Sequence, residues 1–324
     1  MQAFHLFRPD SIDAATEAAR AHGAKFIAGG TDLMQLLKDN VETPTKLVDL
    51  EKVGRTGVRT DASRLRMEAM TRMSDVAAHP DVRAGWPAIS QALEASASPQ
   101  VRNMGTIGGN LLQRTRCGYF RDTGFACNKR TPGSGCPAIA RENRLLAIFG
   151  GSDHCIATHA SDLAVALTAL NAVVELHGTN GPRQVPIGEF YRLPGDTPHL
   201  ETVLEPGDMI TAVTVPADDT ARNSHYLKLR DRASFEFALV SVAVGLALRD
   251  GAVQDVRVAA GGVGTRPWRL PDVEAALRGH RLDDAALRQA SSLAADGSRP
   301  ATQNGFKKIL LQRAVRRALQ TVAA

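Results

Sequence analysis

The sequence predicts an α+β fold in three parts, and three observations carry that expectation. A short strand runs into paired glycines and a helix at residues 25–33, a second glycine-rich loop follows at residues 99–113, and alternating valines and leucines near residue 240 read as an antiparallel hairpin. At 324 residues with 44% hydrophobic content, the chain can bury more than one core, and length alone suggests two or three domains. Lys+Arg 39 against Asp+Glu 34 gives +5, but the charges are interspersed and aromatics are only 5%, which argues against nucleic-acid binding. No stretch approaches the roughly 18 apolar residues of a membrane span, so no membrane insertion is expected. Met1 to Asp10 lacks a basic region followed by an apolar run, so no export signal of its own is expected either.

Taken in order, Asp10 to Arg20 reads as a helix with small apolar positions at Ile12, Ala15 and Ala19, stopped by Gly23. A β-like run, Phe26-Ile27-Ala28, then meets Gly29 and Gly30, and a helix follows through Thr31, Asp32 and Leu33 with apolar Leu36 and Leu37. The glycines permit positive φ and close backbone approach, and Thr31 is the expected N-cap, so the loop suits an anion such as a pyrophosphate. An ordinary strand-to-helix connection carries the same signature. Pro44 and Leu47-Val48-Asp49-Leu50 suggest a return strand, which makes residues 1–54 a small β-α-β-like unit.

Leu65, Met67 and Ala69 alternate as a strand, and Ser74 begins a helical stretch that breaks near Pro80 and Pro87 and resumes through Ile89 to Ala95. In the second glycine loop, Gly108 and Gly109 bring backbone N–H groups near a ligand, while Thr106 and Asn110 offer side-chain hydrogen bonds to phosphate or ribose oxygens. The alternative is a tight turn between helix and strand, because the pattern is neither a dinucleotide G-x-G-x-x-G nor a P-loop. Leu145 to Phe149 then reads as an apolar strand, Ser161 caps a helix through Leu170, and Ala172 to Leu176 is another strand, which completes a second α/β unit over residues 55–216.

Beyond Pro216 the pattern changes to alternation at Val240, Val242, Val244, Leu246 and Leu248, a turn at Asp250-Gly251, and a return through Val253, Val256 and Val258. Helical stretches near 272–278, 283–295 and 302–322 close the chain, so a C-terminal α+β domain of antiparallel strands and three helices spans residues 217–324. The last helix carries Lys307, Lys308, Arg313, Arg316 and Arg317, which form either a partner surface or a solvated face.

The chain has four cysteines, Cys117, Cys127, Cys136 and Cys155, and all of them stand in one Gly/Pro-rich segment, residues 114–155. That grouping permits a four-thiolate metal site, two disulfides or four separate thiols. Paired Cys-x-x-Cys knuckles of zinc ribbons are missing, and ferredoxin-type runs are tighter than this spacing.

Ala-Gly-Gly-Thr-Asp-Leu at 28–33, Arg-Asn-Met-Gly-Thr-Ile-Gly-Gly-Asn-Leu at 102–111, Ser161-Asp162 opening a helix, and Gly261-Gly262-Val263 before Pro267-Trp268-Arg269 together resemble the FAD-binding subunit of the molybdenum hydroxylases, the xanthine dehydrogenase family. The likeness runs over essentially the whole chain, and the cysteine-bearing segment is similar to that of flavin subunits from bacterial periplasmic aldehyde oxidoreductases. The resemblance implies a two-subdomain FAD-binding fold like that of vanillyl-alcohol oxidase (PCMH type) followed by the C-terminal domain. It implies that Phe26, Ile27, Ala28, Gly29, Gly30, Thr31, Asp32 and Leu33 bind the FAD pyrophosphate, that Thr106, Gly109 and Asn110 reach phosphates and ribitol, and that Asp162 holds the adenine end. Ile210 falls where the family packs an apolar residue against the nucleotide, and Lys228 where it places a lysine near the isoalloxazine. Read without the family, Asp162 is a helix cap, Ile210 strand core and Lys228 a solvated strand residue.

The same resemblance assigns Cys117, Cys127, Cys136 and Cys155 to one [4Fe-4S] cluster, with Arg114, Arg116, Lys129 and Arg130 offsetting its charge and His154 and His159 outside the ligand set. It implies a heterotrimer, or its dimer, with a molybdenum-cofactor subunit and a [2Fe-2S] subunit, in which this chain passes electrons from FAD to an external acceptor. The partner's substrate is then an aldehyde, or alternatively a purine or other aromatic. Export to the periplasm would follow a signal-bearing partner, with the cytoplasm as the alternative. A stand-alone NAD-linked flavin reductase is the competing enzyme class and a non-catalytic metal-binding scaffold the competing non-enzyme class. No Ser-His-Asp set, paired carboxylate motif or His-Glu-x-x-His zinc site competes with these readings.

Overall fold

The computed structural model describes residues 1–324. In the first unit, β1 (His5–Phe7), α1 (Ile12–Ala19), β2 (Ala24–Ile27), α2 (Leu33–Lys38) and β3 (Lys46–Asp49) form a parallel sheet of order β1-β3-β2. Ser11 caps α1 by accepting from the Ala14 amide, and Ala15 and Ala19 bury the inner face against Val48 and Leu50.

The second unit holds β4 (Val58–Thr60), β5 (Arg64–Glu68), α3 (Met73–Ala78), α4 (Pro80–Gly85), α5 (Pro87–Glu94), α6 (Pro99–Arg102) and α7 (Ile107–Leu111). The two prolines stand at the first positions of α4 and α5, where no N–H is needed, and divide one apolar stretch into three short helices. The cysteine segment follows with α8 (Gly118–Arg121), and then α9 (Asp162–Ala169), β6 (Val173–Gly178), β7 (Gly181–Pro186), α10 (Ile187–Phe190) and β8 (Met209–Pro216). The five strands pair antiparallel in the order β4-β5-β8-β6-β7. Every residue of α9 is buried, which fits a sequence that is apolar apart from Asp162 and Thr168.

The third unit contains α11 (Asp219–Arg222), β9 (Ser224–Leu229), β10 (Val240–Arg249), β11 (Ala252–Gly261), β12 (Trp268–Arg269), α12 (Pro271–Leu277), α13 (Asp284–Ser292) and α14 (Phe306–Ala323), with the antiparallel order β12-β11-β10-β9. The expected hairpin and three helices are present. Both faces of β10 are buried, however: Val240, Val242, Val244 and Leu246 join the core under α12, α13 and α14, while Ala243 joins the core of the second unit. Small residues on that second face let α9 and α11 approach closely. A Cβ on Gly261 would lie 2.5 Å from Val165, and one on Gly245 2.6 Å from the Thr220 carbonyl.

Two local expectations differ from what is observed. Leu145 to Phe149 is not a strand, because its carbonyls turn toward the start of α14: Leu145 and Leu146 accept from Lys307 Nζ at 2.9 and 3.0 Å, and Leu146 and Ala147 from Asn304 Nδ2, each at 3.2 Å. Thr31 is not the cap of α2, since the cap position falls one residue later at Asp32, whose side chain makes no capping bond. Gly30, at φ +68°, turns the chain before the helix, and its carbonyl accepts from Met34.

Candidate functional site

Where the first two units meet, the two glycine loops touch. A Cβ on Gly29 would lie 1.9 Å from the Met104 carbonyl oxygen and 3.3 Å from Gly105 Cα, so only glycine allows this approach. The Met104 carbonyl also accepts from Arg72, and the Gly105 carbonyl accepts from the Met73 amide at 2.9 Å. The contact opens onto a cleft of about 710 Å³ that runs from Ala19 past both loops to Leu204–Ile210 and Phe237. That volume lies within the range for a drug-sized or larger ligand.

All of residues 26–33 line the cleft. None of the amides from Ala28 to Asp32 donates to a backbone carbonyl, so a run of free N–H groups stands where β2 ends and α2 begins. Such a run is an anion cradle. In the second loop, Thr106 is buried and caps α7, its Oγ1 accepting from the Gly109 amide at 3.2 Å. Asn110 Oδ1 accepts from Ser161 Oγ at 2.6 Å, and that hydroxyl in turn caps α9. Thr106, Gly109 and Asn110 therefore border the cleft, but the Gly108 and Gly109 amides, expected to face a ligand, already donate to the Ala69 carbonyl and to Thr106, and it is Asn110 that ties α7 to α9.

Asp162 and Ile210 line the cleft as well, but Lys228 does not. The Asp162 carboxylate accepts from Ser96 Oγ at 3.0 Å, from Lys228 Nζ at 2.8 Å and from the Tyr226 hydroxyl, and Lys228 also donates to the Ala95 carbonyl at 3.1 Å. Both charged side chains are almost fully buried, 7% and 3% exposed, so the pair sits at the junction of α9 and β9 with its charges mutually compensated. Burial, with the Asp162 charge adding to it, raises the Tyr226 phenol well above its ordinary range and keeps it a hydrogen-bond donor.

Sequence reasoning missed part of this wall. Arg116 lines the cleft and its guanidinium lies 4.6 Å from the centre of the Phe237 ring. Burial pulls Arg116 down to about 10, still charged at neutral pH. Its place in the cysteine segment pointed toward a cluster, and nothing in the local pattern of residues 230–238 marked Phe237 as a cleft residue.

The cysteine segment folds against α2. Cys117, Cys127 and Cys155 are buried, Cys136 is half-buried, none forms a disulfide, and all four line one small cavity together with Phe120, Lys129 and His154. Burial pushes the Cys117 thiol up to about 11 and raises Cys136 and Cys155 as well. The chain brings no three Cys, His, Asp or Glu side chains into the geometry of a single metal ion. His154 faces outward to Asp196 at 3.4 Å. The ring of His159 is packed edge-on to Tyr191 with centroids 4.4 Å apart, and its Nε2 has no partner. Lys129 pairs with Glu201 at 2.8 Å rather than standing free.

Two α/β units, one with a parallel and one with an antiparallel sheet, that pinch a large cleft at a loop of free amides define a nucleotide-cofactor protein. The family described as the FAD binding domain in molybdopterin dehydrogenase matches residues 2–218, and the CO dehydrogenase flavoprotein C-terminal domain matches residues 224–322; the chain belongs to this family of FAD-binding flavoprotein subunits. It is 46% identical over 331 aligned residues to the aldehyde oxidoreductase FAD-binding subunit PaoB of Escherichia coli (strain K12), covering 100% of this chain and 99% of that one. It is 28% identical to the carbon monoxide dehydrogenase medium chain of Afipia carboxidovorans, covering 97% and 96% of the two chains. Among solved structures, a carbon monoxide dehydrogenase from Hydrogenophaga pseudoflava superposes with a TM-score of 0.77 at 26% identity, covering 99% of this chain and 98% of that one.

Proposed function

We propose that this chain is the FAD-carrying electron-transfer subunit of an aldehyde-oxidising molybdenum enzyme. The observation that carries the placement of FAD is the run of free amides from Ala28 to Asp32 at the mouth of the 710 Å³ cleft. The whole-length identity of 46% with a relative named for aldehyde oxidation favours that substrate class over purines or other aromatics. Bound FAD supplies two-electron storage between a one-electron donor and an outside acceptor. The chain's own residues hold and orient it: residues 26–33 take the pyrophosphate, Ile210 and Phe237 cover apolar surface, and the Arg116 cation stands over the Phe237 ring.

Cys117, Cys127, Cys136 and Cys155 fit a [4Fe-4S] cluster as its four ligands. In support, all four are free and share one cavity, while a cubane spreads its thiolates more widely than a single ion does. Partners are a molybdenum-cofactor subunit and a [2Fe-2S] subunit, and we place the assembly in the periplasm, exported with a signal-bearing partner.

Purified complex is the test. Acid should release FAD into the supernatant, iron and acid-labile sulfide should each reach four per chain beyond those of the partner, and an aldehyde should bleach the flavin anaerobically. Flavin that stays in the pellet refutes non-covalent binding, and bleaching by NADH in the isolated chain favours the reductase instead. Recovery of this subunit in the periplasm after deletion of the partner's signal refutes the export route.

A further inference from the structure

The cysteine segment is bolted to the nucleotide loop through one carboxylate. Asp32 stands at the start of α2, yet its side chain is not used to cap that helix. Oδ2 accepts from the Arg114 amide at 2.8 Å, while Oδ1 accepts from Arg121 Nη2 at 2.8 Å and lies 3.1 Å from Arg116 Nη2. All three partners belong to the cysteine segment. Arg121 ends α8, the turn that follows Cys117, and it further binds the carbonyls of Thr115 at 2.9 Å and Arg114 at 3.2 Å. A second contact is independent of these charges: Leu36, one turn along α2, is buried in the same apolar cluster as Cys117, Phe120, Cys127 and Cys155. The helix that starts at the free amides thus packs its inner face on the cysteine core.

Electrostatics give the contact a sign. Asp32 lines the cleft beside the amides that would hold a diphosphate, and an uncompensated carboxylate there repels phosphate. Arg116 and Arg121 neutralise it only while the cysteine segment is in place.

We infer that the Asp32 carboxylate is a positioning group rather than an FAD ligand, and that it couples FAD affinity to the integrity of the cysteine segment. The inference rests on the cluster proposed above for the second half of that coupling. By linkage the effect is reciprocal: an ordered cluster segment tightens FAD, and bound FAD protects the cluster.

The test uses the assembled complex, with FAD dissociation constants read from flavin fluorescence and iron counted in parallel. Arg121 does not line the cleft, so it reports on the coupling alone. Arg121→Ala and Cys127→Ser should each weaken FAD by about tenfold, and the double variant should be no weaker than the worse single, because both break one connection. Arg121→Lys should recover most of the affinity, and Arg121→Ala should keep its iron. Wild-type protein stripped of FAD should lose iron to a chelator several-fold faster than loaded protein, a difference that disappears in Arg121→Ala. Unchanged FAD affinity in Arg121→Ala, or single effects that multiply in the double variant, overturns the inference. A wild type with fewer than four irons in this chain sinks the cluster assignment instead, and the affinity of Arg121→Ala then still decides whether Asp32 is held by the segment.

Discussion

Gly29 and Gly30 are adjacent, yet they answer to different constraints, and substitution should separate them. A methyl group on Gly29 meets the backbone oxygen of Met104, which cannot move without parting the two loops, whereas one on Gly30 meets the flexible Met34 side chain at 3.1 Å and bears only the strain of φ +68°. Gly30→Ala should therefore cost about 1 kcal/mol and keep most of its flavin. Gly29→Ala should lose flavin altogether; equal flavin content in the two variants after gel filtration refutes the distinction. His159 gives a pH-dependent counterpart. Burial pulls its imidazole down to about 4, against an unfolded value near 6.5. Between those values the unfolded chain binds a proton that the folded chain does not, so stability present above pH 6.5 falls as pH drops toward 4, by at most about 3 kcal/mol. Denaturant midpoints should flatten over that range in His159→Gln, and parallel wild-type and variant curves would place the acid sensitivity elsewhere.

Among elements, α14 carries the clearest consequence. Its sequence reads as a basic face, but Lys307 is fully buried and donates to the carbonyls of Leu145 at 2.9 Å, Leu146 at 3.0 Å and Gly262 at 2.6 Å, while its neighbour Lys308 is exposed. Lys307→Met removes three hydrogen bonds, leaves the Gly262 carbonyl without a donor, and should cost about 2–4 kcal/mol in urea unfolding. Lys308→Met should stay within about 0.5 kcal/mol, and similar losses in both would mean the buried contacts contribute nothing. The same residues explain what was legible in the sequence. The hairpin of β10 and β11, helix α1 and the Ser161-capped helix α9 are written in local periodicity and one capping residue, and the strand-glycine-helix turn appears too, with Asp32 rather than Thr31 at its cap position. Leu145–Phe149 is apolar and β-like in isolation, and only Asn304 and Lys307, some 160 positions away, determine that its carbonyls point elsewhere. The cleft residues divide in the same way: the loop at 26–33 is a local pattern, whereas Phe237 and the mutual pairing of Asp162 with Lys228 arise from packing between units.

At the scale of the whole molecule, the cleft exists only where units meet, and the cysteine segment packed beside it has a small core that it shares with the first unit. Its apolar cluster has nine buried members, and two of these, Leu36 and Val41, come from the first unit. Between Arg114 and Cys155 the only regular structure is α8 and a three-residue 3-10 turn at Pro137–Ile139. Such a stretch buries too little apolar surface to order itself, so metal ligation would become folding energy there. If the cluster's role is to supply that order, its electrons need not lie between a partner's [2Fe-2S] centres and FAD. Cys127→Ser should then lower iron content and loosen the segment, and it should weaken FAD through Asp32. Once the assembled variant is saturated with added FAD, rapid mixing with aldehyde should still reduce the flavin at the wild-type rate. An assembled, FAD-saturated Cys127→Ser complex whose flavin stays oxidised would put the cluster on the electron path, because neither disorder nor FAD loss would remain to explain the failure.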